Sequence, residues 1–157
     1  MPMPAEHRRA TLIDEISDRT GITDDLIAEL VDTFYARVRK DPLLAPIFAR
    51  VGDWDEHLAR LRAFWSSVAL MSGRYHGQPM QAHFPLSIEP RHFDRWLALF
   101  EQTTADVCPP DAAAIFMEKA RRIADSFEMA IAGRRGEIAG PRHSISLQNS
   151  KGRRHEE

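Results

Sequence analysis

Trp54, Leu58, Leu61, Trp65 and Val68 recur at steps of four, three, four and three residues. Only a helix gathers such positions onto one face, because its side chains return every 3.6 residues whereas those of a strand alternate. The stripe predicts a helix opened by Gly52 and Asp53 and ended by Gly73. Three further stretches carry the same spacing: Ile27, Leu30, Val31, Phe34 and Val38; then Phe93, Trp96, Leu97, Phe100 and Val107; then Ile115, Phe116, Ile123, Phe127 and Ile131. There is no β-type alternation, internal repeat or Gly-rich phosphate loop, so the fold class read from the pattern is all-α.

The punctuation agrees with the stripes. Thr23 reads as an N-cap, with Asp24 and Asp25 in the first turn where the helix dipole favours negative charge. Arg37, Arg39 and Lys40 crowd the end of that helix, and Pro42 stops it. Leu43 to Phe48 is an apolar corner too short for a long helix. Pro90 suits the first position of the third helix, while Pro109 and Pro110 separate it from the fourth, which Gly133 ends. Between Gly73 and Pro90 lies a loop, then a short segment, Met80 to Phe84, able to make one or two turns. Met1 to Thr11 reads as a loose tail, followed by a short turn over Leu12 to Arg19 that Gly21 breaks. The divisions are residues 1–20 as a partly flexible extension, 21–133 as the folded domain, and 134–157 as a polar, disordered tail.

The chain has 157 residues, 43% of them hydrophobic, enough for one domain with a real core. Its 21 basic and 23 acidic residues give a net charge of −2, which offers no footprint for nucleic acid. No apolar run is long enough to span a bilayer, and Met1 to Ala10 has no apolar stretch behind it. The expected location is the cytoplasm. Cys108 is the single cysteine, which rules out an intrachain disulfide.

Four polar-tipped residues stand out against these apolar frames: Tyr35, His57, His83 and Trp96. His57 lies about sixty degrees around the helix from Trp54. His83 sits in the short segment between Ala82 and Phe84, where a bulky group would find room on both sides. A neutral imidazole is a common ligand of haem iron. Taken singly, such a histidine or tryptophan is more often an ordinary core residue than a ligand-site residue, and His76 and His92 are rival ligands among the seven histidines. Neither HExxH nor a Cys–His pattern is present to suggest zinc. Arg60, one turn beyond His57, can reach an acidic group at the edge of a buried ligand, as can Arg74 and Tyr75.

Taken in order, the motifs resemble the truncated haemoglobins, and specifically the third group of that family. The stretch Phe34-Tyr35-Ala36-Arg37-Val38-Arg39-Lys40-Asp41-Pro42 resembles the family's second helix. Pro46-Ile47-Phe48 is similar to its corner, where a phenylalanine packs on the haem. Trp54 through His57 to Phe64-Trp65 resembles the distal helix. Tyr75, Gly77-Gln78-Pro79 and His83 resemble the approach to the proximal histidine, and His92-Phe93 with Trp96-Leu97-Ala98-Leu99-Phe100 resembles the helix whose tryptophan faces the bound gas. The likeness covers about Asp24 to Gly133. The Gly-Gly pairs common in the other groups are missing, which fits the third.

The resemblance implies a two-on-two helical sandwich around one haem b. It implies His83 as the proximal iron ligand and Tyr35, His57 and Trp96 as the distal pocket. Phe34, Phe48, Arg60, Tyr75 and Phe93 complete the implied cofactor-binding set. The expected partners are diatomic gases (oxygen, nitric oxide, carbon monoxide) and a possible reductase. Several donors around a gas suit tight binding and chemistry, such as nitric oxide dioxygenation, better than bulk oxygen transport. Two alternatives stay open: a peroxidase-like haem enzyme, and a haem-free helical interaction module in which the histidines merely pack.

Overall fold

The computed structural model describes residues 4–75 and 88–134. They form five helices: α1 (Ala5–Thr20), α2 (Asp24–Val38), α3 (Trp54–Leu70), α4 (Pro90–Val107) and α5 (Pro110–Arg134). No strand occurs among the described residues. The pair α2 and α3 packs over the pair α4 and α5, and α1 lies outside against α3. None of these helices is long and apolar enough to cross a membrane.

The centre is an aromatic knot with one ring from each helix of the sandwich. Trp65 of α3 stacks on Phe100 of α4 at 5.2 Å, and Phe116 of α5 meets Trp65 edge-on at 5.9 Å. Phe34 of α2 meets Phe100 edge-on at 5.0 Å. All four rings are at most 2% exposed. Offset-stacked and edge-on pairs match the ring quadrupoles, adding about 0.5–1.5 kcal/mol per pair beyond area burial.

Helix ends follow local chemistry. The Thr23 hydroxyl accepts from the Leu26 N–H at 3.0 Å, and the Asp53 carboxylate accepts from the Glu56 N–H at 3.1 Å. The loose lead expected from Met1 to Thr11 is instead helical from Ala5. Its opening turns hold good helix formers but no apolar stripe, and only Ile13 and Ile16 turn toward the core. Arg9 ties the helix down by donating to the Met71 carbonyl at 3.0 Å. Helix α3 also stops earlier than Gly73 suggests, because Met71 itself takes the left-handed conformation at φ 56°. Its N–H bonds back to the Ser67 carbonyl, a closure that glycine usually supplies. The segment around Met80 to Phe84, with His76 and His83, and the tail from residue 135 lie outside the described residues.

One ion pair fixes the corner between α2 and α3. Asp41 is 5% exposed, and its carboxylate accepts from the Leu43 and Leu44 N–H groups at 3.2 and 3.1 Å. Arg95 of α4 closes on the same carboxylate, with Nε 2.7 Å away. The corner therefore presents Leu44, Ile47 and Phe48 inward. The Arg95 guanidinium, aided by the two backbone donors against the cost of burial, holds the Asp41 carboxyl below its ordinary 3.8. Because the folded value lies below the unfolded one, Asp41 stabilises fully above the ordinary carboxylate range and loses its contribution as pH falls through the folded value. Asp41→Ala should cost about 2–4 kcal/mol at pH 7 by leaving these donors without their acceptor. In denaturant unfolding, the gap between wild type and variant should shrink as the pH approaches 3; an equal gap at both pH values would refute the ion-pair account.

Candidate functional site

Between the helix pairs lies a cavity of about 420 Å³. Its wall takes Tyr35 from α2, Leu44, Ile47 and Phe48 from the corner, and His57, Arg60, Leu61, Phe64 and Trp65 from α3. Tyr75, Ile88, the α4 residues His92, Phe93 and Trp96, and the α5 residues Ile123, Ala124 and Phe127 complete it. The lining is mostly apolar with a few polar tips, the usual composition of a site for a sizeable organic ligand.

Seven of the nine residues that the resemblance implies for the site meet here: Tyr35, Phe48, His57, Arg60, Tyr75, Phe93 and Trp96. Phe34 does not join the wall. It is 1% exposed and stands behind it, edge-on to Tyr35 at 4.8 Å and to Trp96 at 5.7 Å. Helical periodicity shows that neighbours such as Phe34 and Tyr35 face inward, but not which of them reaches a cavity. His83 lies outside the described residues.

Tyr35 and Trp96 act as a pair. Trp96 lies flat on Phe100, with centroids 5.5 Å apart and planes 1° from parallel, so its indole is held by the core. The Trp96 indole acts on Tyr35 as a neighbouring donor. An indole N–H can only donate, so the phenol O–H remains available to donate elsewhere. Burial pushes the Tyr35 phenol up to about 12, outweighing the opposite effect of Trp96. The phenol thus stays a protonated donor throughout the physiological range.

His57 is bracketed by rings. It meets Trp54 edge-on at 5.2 Å, and Tyr35 and Phe48 each at 6.3 Å. Its Nε2 atom is buried, with no hydrogen bond among the described residues. Trp54 is braced by the Arg39 guanidinium, 4.4 Å above its ring. Sequence reasoning had placed Arg39 only at a helix end; a cation over a ring two segments away leaves no mark in helical spacing.

At the rim, Arg60 pairs with Glu56 at 3.2 Å while remaining 61% exposed. Tyr75 is positioned by its N–H to the Ser67 hydroxyl at 2.9 Å and by an edge-on contact with Phe64 at 5.3 Å. Burial raises its phenol, with the Arg60 charge opposing. Arg74 turns instead to Asp24 at 3.1 Å and is not among the residues of the wall. His92, weighed as a rival ligand, does line the cavity, but its Nδ1 accepts the Glu89 N–H at 2.9 Å. No cluster of three or more metal-ligating side chains occurs among the described residues. The chemistry of this wall would suit a flat apolar macrocycle with an acidic edge: it is rich in rings and aliphatics, with the cationic Arg60 exposed at its rim.

The raised Tyr35 value has a measurable consequence. The buried neutral phenol stabilises fully below its ordinary 10.0, and this contribution is lost as pH rises toward about 12. Stability should therefore fall by up to roughly 2–3 kcal/mol across that window on account of Tyr35. In unfolding titrations Tyr35→Phe should show a correspondingly shallower alkaline decline; an identical slope would contradict the burial of an un-ionised phenol.

Comparison with known proteins places this architecture. The family model for bacterial-like globins matches residues 15–132. The chain is 36% identical over 113 residues to the group 3 truncated hemoglobin ctb of Campylobacter jejuni, covering 68% of this chain and 89% of that protein. It is 37% identical over 83 residues to the group 2 truncated hemoglobin YjbI of Bacillus subtilis, covering 50% and 61% of the two chains. The crystal structure of the group III truncated hemoglobin from Campylobacter jejuni superposes with a TM-score of 0.63 at 36% identity, over 68% of this chain and 89% of that one. A truncated haemoglobin structure from Bacillus subtilis shares the fold at a TM-score of 0.60 and 24% identity, over 71% and 97%. On the match over most of its length and on the shared fold, the chain belongs to the bacterial-like globins, as a truncated haemoglobin of the third group.

Proposed function

We propose that the cavity holds one haem b, with His83 as proximal iron ligand, and that a diatomic gas binds against Tyr35, Trp96 and His57. Haem b supplies the iron centre at which the gas is taken up. The rest is the work of side chains. The Trp96 indole, a donor beside Tyr35, leaves the phenol O–H free to point at the gas. Tyr35 then offers a proton to a gas that gains negative charge on binding. The surrounding rings keep water out, so each donor acts in a medium of low dielectric constant. His57 adds a second donor when its facing nitrogen carries the proton.

The observation that carries this reading is the meeting of the buried Tyr35 phenol, the Trp96 indole and His57 on the wall of one mostly apolar cavity. A buried phenol kept as a donor favours slow release of oxygen, which suits chemistry better than delivery. The reaction we infer is nitric oxide dioxygenation, NO + O2 + e− → NO3−, with the electron supplied by a separate reductase. Peroxidase-like turnover is the competing outcome, since a distal histidine among polar neighbours also assists O–O cleavage.

Wild-type protein supplied with hemin should develop a haem absorption band, and His83→Ala should fail to retain it. Normal haem content in that variant would remove His83 from its assigned role, and a wild type that stays colourless would leave the haem-free module standing. A donor to a charged acceptor contributes about 1.5–3 kcal/mol, so Tyr35→Phe should raise the oxygen dissociation rate by roughly ten- to a hundredfold. Stopped-flow mixing of reduced, oxygen-saturated protein with nitric oxide should give stoichiometric nitrate faster than hydrogen peroxide is turned over. The reverse order of rates would favour the peroxidase.

A further inference from the structure

We propose that His92 is a haem-anchoring residue, a neutral imidazole locked to present its Nε2–H to a carboxylate on the edge of the cofactor. The inference rests on the haem reading above and on a residue other than His92 ligating the iron, but not on that residue being His83. His92 occupies the third position of α4, after Pro90 and Arg91, and is 7% exposed. Its Nδ1 accepts the Glu89 N–H at 2.9 Å. Glutamate or glutamine usually closes this capping bond from the third position of a helix. An imidazole there has a consequence that a carboxylate lacks.

A nitrogen that accepts an N–H bond cannot itself carry the proton. Neutral His92 therefore bears its proton on Nε2, at the far side of the ring from the helix start. Two things follow. Nε2 has no lone pair to lend and Nδ1 is engaged, so His92 cannot ligate iron without surrendering the cap. Conversely, the cavity wall gains a fixed N–H donor. A donor nine-tenths buried in an apolar wall calls for an acceptor. The acceptors a porphyrin of this type offers at its periphery are its carboxylates, since the rest of the ring edge is hydrocarbon. Arg60 and Tyr75 also stand at the wall, but Arg60 is drawn to Glu56 and largely solvated. A neutral, pre-oriented donor adds an anchor whose strength depends little on salt.

The test is a chemical double-mutant cycle on haem loss, measured by transfer to an excess of a scavenging apoglobin. His92→Gln and His92→Glu both keep an oxygen to cap Glu89, and both lose the ring donor. With hemin, His92→Gln should release the cofactor about tenfold faster than wild type, and His92→Glu faster still. With hemin dimethyl ester, whose carboxylates are masked, the three proteins should agree within about twofold. The iron's absorption spectrum should be unchanged in both variants. Nitrogen-15 NMR of the wild-type chain should independently report the Nε2–H tautomer at His92, which keeps the idea falsifiable if a variant fails to fold.

Equal acceleration with both cofactors would reduce His92 to a packing residue. An Nδ1–H tautomer, or unchanged release from His92→Glu, would overturn the anchor outright. Loss of the axial-histidine spectrum in His92→Gln would make His92 the iron ligand instead. A wild-type chain that takes up neither cofactor would sink the haem reading itself, a failure distinct from all of these.

Discussion

The Trp65–Phe100 stack is the contact on which the rest depends. Phe34 and Phe116 close on it from the remaining two helices, so the four elements of the sandwich meet at one knot of fully buried rings. Phe100 serves twice. One contact goes to Trp65 in the core, and another goes to Trp96, one turn earlier on α4. The Trp96 side of the cavity is thus a direct extension of the core. Trp96 cannot tilt without disturbing the ring it stacks on, and its indole is a neighbour of the Tyr35 phenol. Close packing transmits rigidity from the core to the cavity wall.

The buried polar groups divide by what satisfies them. Asp41 is charged and fully engaged, by Arg95 and two backbone donors, and it secures the corner that brings Phe48 to the wall. Tyr35 is kept neutral by burial, and His92 has its tautomer chosen by a helix start. Tyr35 and His92 line the same mostly apolar cavity, while Asp41 bears on it only through the corner that carries Leu44, Ile47 and Phe48. A dry cavity makes each one effective, because a hydrogen bond there does not compete with water.

Much of this was legible in the residues. Helical spacing located α2 to α5, and Thr23, Asp53 and Pro90 marked their starts, because caps and periodicity are local properties of the chain. The ends were read less well. Met71 closes α3 in a left-handed conformation normally left to glycine, while Gly73 takes its own positive φ two residues later, beneath the Arg9 guanidinium. Helix α1 was missed across its first turns because it docks through only Ile13 and Ile16, too few to write a stripe. Tyr35, His57 and Trp96 were recognisable as polar tips on apolar faces, and the ordered motifs around them carried the family.

What the sequence determined by itself is the set of helices, their buried faces and the identity of the groups able to meet a ligand. The period of a helix and the chemistry of a side chain need no partner to be expressed. Tertiary structure alone decided how those groups are used. It put Phe34 behind the wall and Tyr35 on it, sent Arg74 to Asp24 while leaving Arg60 at the rim, set Arg39 over Trp54, and fixed which nitrogen of His92 holds the proton. Each of these depends on directional contacts of a few ångströms. Most join segments distant in the chain; the His92 bond is local, but the ring reaches the cavity only because α4 is packed against it.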